Sequence, residues 1–287
     1  MKAIECLNTL RQIVHGRASR DLVLESSSLL YQSGLYEFSR IATATLNPRF
    51  WAIITAVFHG DEPAGTLTVV QRLSEMANLA HSRGVGLIVY PLINPSGFDA
   101  GTRYNIDDVG QNHPNNDFCR YVLANGGVVD DLGSGTEFSR WFSARLLTSD
   151  ARPIETVRLH DCLDADLRNH DIKAAIDLHQ DQYLKGPAAY AYAFGDLSRY
   201  GEITREVEKL VTVIKNADVS SGQISPAWAN HQGLIRRHDG SITDYFHRHG
   251  VPHTVALETT TDTPTATAIE VNMIWIRGII ELVAQEK

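Results

Sequence analysis

Four residues of this sequence have the types and placement of a hydrolytic metal centre: His59, Glu62, His179 and Glu258. Catalytic zinc takes three protein ligands, often two histidines and one glutamate, and keeps a fourth position for water. His59 and Glu62 stand close enough for a turn to bring both to one cation, and His179 can arrive from a neighbouring strand. Glu258 is then left to handle the proton of the water. Asp177, two residues before His179, shares a strand face with it and is suited to orient its imidazole. A bare His-x-x-Glu match is a weak signal, and the common placement of all four residues gives it weight. The sequence contains no His-Glu-x-x-His, which excludes the thermolysin-like arrangement. It has no Gly-x-Ser-x-Gly elbow for a serine hydrolase, and no Gly-x-Gly-x-x-Gly or Walker loop to support nucleotide binding.

The elements that must position these residues alternate in type. Trp51–Phe58 is short, largely apolar and rich in β-branched residues, as a strand covered on both faces should be. Pro63–Arg83 has helical spacing, with Pro63 suited to the first turn and Gly84 to the stop. Leu87–Ile93, Ile172–Leu178 and Val251–Leu257 read as further strands. Pro153–Arg168, Ser198–Asn216, Ser241–His249 and Thr263–Gln285 read as helices. This alternation predicts an α/β fold: a mixed, mostly parallel twisted sheet with helices on both faces. Ligands bind such sheets beyond the carboxyl ends of strands, where His59, Asn94, His179 and Glu258 all fall. Asn105–Ser149, rich in Asn, Asp, Gly and Ser, reads as a long loop of the functional kind. With no repeat or linker, residues 1–287 are expected to form a single catalytic domain.

Composition narrows the function class. The 287 residues are 43% hydrophobic and 21% charged, which is ordinary for a globular chain. A net charge of -8 offers no electrostatic footprint for nucleic acid or an anionic membrane. The longest apolar run is far shorter than the roughly 20 residues that span a bilayer. The first residues hold no apolar targeting segment. The scattered Cys6, Cys119 and Cys162 read as free thiols, so a cytoplasmic location is expected.

Four short motifs occur in order: His59-Gly-Asp-Glu62-Pro-Ala-Gly, Asn94-Pro95-Ser96-Gly97-Phe98, Asp177-Leu-His179, and Gly240-Ser241-Ile242 ahead of Glu258. In this combination the sequence resembles the zinc metallocarboxypeptidases of the M14 type and, more distantly, aspartoacylases and succinylglutamate desuccinylases. The resemblance implies a twisted mixed sheet between helices and one Zn2+ ion on His59, Glu62 and His179. It implies Glu258 as general base and later acid, and Arg103 as the group that polarises the scissile carbonyl. Ser96 stands where the related motif has an acid. The related Asp-Leu-Asn-Arg segment corresponds to a stretch ending Gln111-Asn112-His113, so Asn112 is retained for substrate binding and the carboxylate-binding arginine is missing. A substrate-contacting tyrosine is likewise absent from Gly233–His238. Arg236 and Arg237 lie in that segment, and an arginine fork can hold a carboxylate through two hydrogen bonds. One of the two is therefore expected to replace the clamp or to read an acidic side chain.

The expectation is a zinc-dependent, metallocarboxypeptidase-like hydrolase that cleaves an amide next to a carboxyl-bearing group of a peptide or N-acyl amino acid. One alternative is an N-acyl-amino-acid deacylase of the aspartoacylase type. Another is a catalytically silent binding protein, against which Glu258 and Arg103 speak. His238, His247, His249 and His253 lack the spacing of a second metal site.

Overall fold

The computed structural model describes residues 1–16, 21–32, 34–44, 47–108, 119–122, 128–129, 140–143, 153–219, 227–238 and 241–286. Helix α1 (Ala3–His15) precedes a hairpin of β1 (Leu22–Tyr31) and β2 (Gly34–Thr43). Strand β3 (Phe50–Ala56), α2 (Ala64–Ser82) and β4 (Val85–Tyr90) form a parallel crossover, followed by α3 (Pro95–Ala100) and a 3-10 turn at Ile106–Asp108. Strands β5 (Cys119–Val122), β6 (Val128–Val129) and β7 (Arg140–Ser143) pair antiparallel as a small separate sheet. Then come α4 (Ile154–Asn169), β8 (Ile172–Asp181), β9 (Ala188–Phe194), a 3-10 turn at Leu197–Tyr200, α5 (Gly201–Glu208) and β10 (Thr212–Val213). The short pair β11 (Ala217–Asp218) and β12 (Trp228–Ala229) leads to β13 (Leu234–Ile235), α6 (Ile242–Arg248), β14 (His253–Thr260) and α7 (Thr265–Ala284).

The main sheet has nine strands in the order β1-β2-β4-β3-β8-β14-β9-β10, with β13 also on β9. Its centre, β4-β3-β8-β14, is parallel. The β1–β2 and β2–β4 pairs and the β9–β14 pair are antiparallel. The expected mixed, mostly parallel sheet is thus the observed one. Every residue of β3 and β4 is buried, as strands covered on both faces require. One face packs on α1, α2, α5 and α7 through residues such as Leu10, Leu73, Ile203 and Ile276. The other packs on α4 and α6 through Leu159, Leu163, Ile242 and Phe246. No helix of the described residues is long and apolar enough to cross a membrane.

Several boundaries differ from the sequence expectation. Strands β8 and β14 each run three residues further, so His179 and Glu258 sit within strands. The helix expected over Ser198–Asn216 stops at Glu208, because Val211-Thr212-Val213-Ile214 is β-branched and Thr212 and Val213 pair with β9 instead. The stretch expected as loop, Asn105–Ser149, holds the small three-stranded sheet.

Candidate metal and catalytic site

The site begins where β3 ends. Val57 has φ +56°, a left-handed conformation that a β-branched residue rarely adopts and that costs about 1–3 kcal/mol. Hydrogen bonds from Ile93 N to Ala56 O (3.1 Å) and from Asn94 N to Val57 O (3.0 Å) hold it in place. The bend turns His59 and Glu62 back over the sheet edge, and Glu62 N closes the turn on His59 O at 3.1 Å. The next loop braces this one. Asn94 accepts from Gly97 N at 2.9 Å and donates to Phe58 O and Arg103 O, both at 3.3 Å. Gly60 N donates to Arg103 O at 3.2 Å. A Cβ on Gly60 would sit 2.0 Å from the carbonyl carbon of Gly97, so the two loops can touch only because residue 60 has no side chain.

Glu62 is the hub. Its Oε1 lies 2.9 Å from His59 Nδ1 and accepts from Arg103 at 2.8 Å. Its Oε2 lies 2.9 Å from His179 Nδ1 and accepts from Gln180 N at 3.0 Å. All three expected ligands are buried, Glu62 to 2% exposure. Burial works to raise the Glu62 carboxyl, but the adjacent imidazoles of His59 and His179 outweigh it and hold it well below the usual carboxylate range. The donor atoms of His59, Glu62 and His179 all lie within 4.8 Å of one another. Two imidazole nitrogens and a carboxylate, buried and convergent, fit a zinc ion by donor chemistry.

The sheet supplies the rest. His179 Nε2 is 2.7 Å from Asp177 Oδ2, and Thr55 on β3 donates to Asp177 Oδ1 at 2.7 Å. Residues 55, 177 and 179 therefore form one buried chain that fixes the ring of His179. Gln180 turns its side chain to the start of α2, accepting from Ala64 N at 2.9 Å. Glu258 is directly opposite His179 in the parallel β8–β14 register, and paired residues of neighbouring strands share a face. It is half-buried where the ligands are buried. Tyr190 lies opposite Glu258 on the other side and donates to Asp181 at 2.7 Å. Burial, with Glu258, Tyr192 and Asp181 adding to it, pushes the Tyr190 phenol well above its ordinary range.

The structure brings His59, Glu62, His179 and Arg103 into direct contact and sets Glu258 beside them. Asn112 lies outside the described residues. Arg236 is not brought to the group. It is exposed and donates to Gly195 O at 2.6 Å, and β13 runs parallel to β9, away from the edge that carries Glu258. Arg237 is 9% exposed and lies two residues after Ile235, beyond the end of β13. The four histidines of the 238–253 segment take structural partners, such as Asp244 for His238 (2.9 Å) and Glu286 for His253 (2.9 Å). Sequence reasoning did not single out Thr55 or Gln180. Thr55 is the one hydroxyl in an otherwise apolar strand, which was a readable signal.

Residues 51–192 match the sequence model of the succinylglutamate desuccinylase/aspartoacylase catalytic domain. The match takes in His59, Glu62, Arg103, Asp177 and His179, and ends before Arg236, Arg237 and Glu258. No curated protein matches the chain in sequence. Among solved structures, one from Shewanella baltica OS155 bearing the name metallopeptidase is similar with a TM-score of 0.70 at 20% identity, over 98% of this chain and 92% of that one. A metallo-carboxypeptidase from Burkholderia cenocepacia is similar with a TM-score of 0.59 at 14% identity, over 96% and 67%. A metallo-carboxypeptidase from Pseudomonas aeruginosa, in complex with (2-guanidinoethylmercapto)succinic acid, gives 0.58 at 13%, over 96% and 68%. The fold is therefore the one these carboxypeptidases share. The desuccinylase/aspartoacylase match and the carboxypeptidase fold together support a hydrolase of this broad kind.

Proposed function

We propose that the protein is a zinc hydrolase that cleaves an amide next to a carboxyl-bearing group, on a peptide or an N-acyl amino acid. The observation that carries this reading is the convergence of His59, Glu62 and His179 with Glu258 one strand away in register. A zinc ion held by the three ligands would supply Lewis acidity to the substrate carbonyl and make water more acidic. Glu258, half-buried beside them, takes the proton of the attacking water and passes it to the departing amide nitrogen, so that water and amide become acid and amine. Arg103 is 28% exposed at its side chain and turns its guanidinium from Glu62 toward the negative charge that develops on the carbonyl oxygen. Asp177 and Thr55 hold the His179 ring in the tautomer that presents Nδ1 to the site. Arg237, 9% exposed, is the arginine assigned to pair with a substrate carboxylate in place of the missing clamp.

Within this reading, the match to the desuccinylase/aspartoacylase domain favours small N-acyl amino acids over peptides. The test is a substrate panel with zinc-loaded protein: N-acyl amino acids against dipeptides, each with free and amidated carboxyl groups. Release of amine from the free-carboxylate members is expected. Stoichiometric zinc with no turnover on any member would overturn the hydrolase reading and favour a binding protein.

A further inference from the structure

Glu155, in the first turn of α4, is fully buried and stands outside the proposed chemistry. A buried carboxylate left unpaired is among the costliest groups a fold can carry, so its partners show what it is for. Its Oε1 and Oε2 accept from Asn105 Nδ2 at 2.8 and 3.0 Å, and Oε2 also accepts from Tyr31 OH at 3.0 Å. The positive end of α4 adds to the stabilisation of the charge. Three distant segments, the end of β1, residues 103–107 and the start of α4, thus meet on one carboxylate.

Asn105 is 2% exposed and lies two residues after Arg103. Its Oδ1 accepts from Asp107 N at 3.0 Å, so the amide is engaged at both ends. Ile106 N donates to Ser96 Oγ at 3.2 Å. Here Ser96 serves as a neutral acceptor close to Tyr31. Upstream, Arg103 O is held by Gly60 N and Asn94 Nδ2. The backbone of the segment is strapped at Arg103 and just beyond it, and the guanidinium itself donates to Glu62 at 2.8 Å.

We propose that Glu155 is a positioning residue for Arg103, acting through Asn105. The role of Arg103 in catalysis rests on the function proposed above; its placement by Glu155 does not. Hydrogen bonds to an ionised acceptor are about twice as strong as neutral ones, which suits a strap that must hold a group to well under an ångström.

The test compares wild type with Asn105→Ala, Glu155→Gln, Arg103→Ala and the Arg103→Ala/Asn105→Ala pair. The first readout needs no activity: the ¹H–¹⁵Nε resonance of Arg103, assigned by its loss in Arg103→Ala. It is expected to shift and broaden in Asn105→Ala, and to a lesser degree in Glu155→Gln, which keeps volume and fold. The second readout is kcat of the zinc-loaded protein. A drop of roughly tenfold is expected for Asn105→Ala with KM and zinc content unchanged, and less than about twofold from the same change once Arg103 is gone. An unmoved resonance in both variants would overturn the proposal. So would an equal loss of kcat with and without Arg103. A wild type without amide turnover would defeat the function proposed above, while the resonance still decides whether Glu155 positions Arg103.

Discussion

Asp177 offers the sharpest quantitative test of the metal centre, because it touches no cation and acts only through His179. It is 1% exposed, its Oδ2 is 2.7 Å from His179 Nε2, and its other oxygen is held by Thr55. A hydrogen bond to a charged group contributes about 1.5–3 kcal/mol, and about 1.4 kcal/mol is a factor of ten. Removing the carboxylate altogether, in Asp177→Ala, is therefore expected to weaken zinc binding roughly a hundredfold. Asp177→Asn keeps an oxygen for the ring N–H and loses only the charge, so roughly tenfold is expected. Thr55→Val removes a hydrogen bond to the same carboxylate but acts one step further from the ring, with about 1 kcal/mol reaching the metal site, so about fivefold is expected. The measurement is competition for zinc against a chromophoric chelator at fixed pH, with circular dichroism showing that each variant is folded. The order Ala, Asn, Thr55→Val is as important as the sizes. Zinc affinity within twofold of wild type in folded Asp177→Ala would refute the claim that this carboxylate orients the ligand.

Other outcomes follow from the same geometry. His59→Ala and His179→Ala are each expected to lose stoichiometric zinc by elemental analysis of the purified protein. Glu258→Gln is expected to keep zinc and fold and to lose at least about a hundredfold in kcat; loss of zinc instead would make Glu258 a ligand. Gly60→Ala forces a Cβ against the backbone of Gly97 and should destabilise the protein by about 3 kcal/mol or more, read as a lower melting temperature. Arg237→Lys should raise KM for free-carboxylate substrates roughly tenfold with little effect on amidated ones, whereas Arg236→Lys should change neither.

The convergence of His59, Glu62 and His179 and the central strands were legible in the sequence, and the margins of the frame were less so. His59, Glu62 and His179 could be named because their places at strand ends follow from the alternation of apolar runs. The strands themselves were visible where they are buried on both faces, as at Phe50–Ala56. The β1 strand escaped notice because Glu25 and three serines leave it half-exposed, so its burial does not follow a clean period of two. The helix beyond Glu208 was overextended because helical spacing and β-branched content compete in Lys209–Ile214, and pairing with β9 decided the matter. Arg236 and Arg237 could not be separated on paper. They are adjacent residues of one type just after β13, and only the structure shows Arg236 exposed and Arg237 buried. Glu155 was invisible for a related reason: a glutamate in a first helical turn looks like an ordinary partner for the helix end until Asn105 and Tyr31 are seen on it.

The parallel register of His179 and Glu258 has a consequence for how such a protein can change. Both residues belong to neighbouring rungs of the central ladder, where each strand is flanked on both sides and no rung can slip without moving all the others. Tyr190, opposite Glu258, and Tyr192 belong to β9, one strand nearer the margin of the sheet, and Arg237 comes two residues after the end of the short strand β13. On the function proposed above, such a protein is modular: His179 and Glu258 are locked into the interior of the sheet, while Arg237 stands outside its strands. Variation at position 237, by natural drift or in a mutant library, would leave the rung of His179 and Glu258 in place.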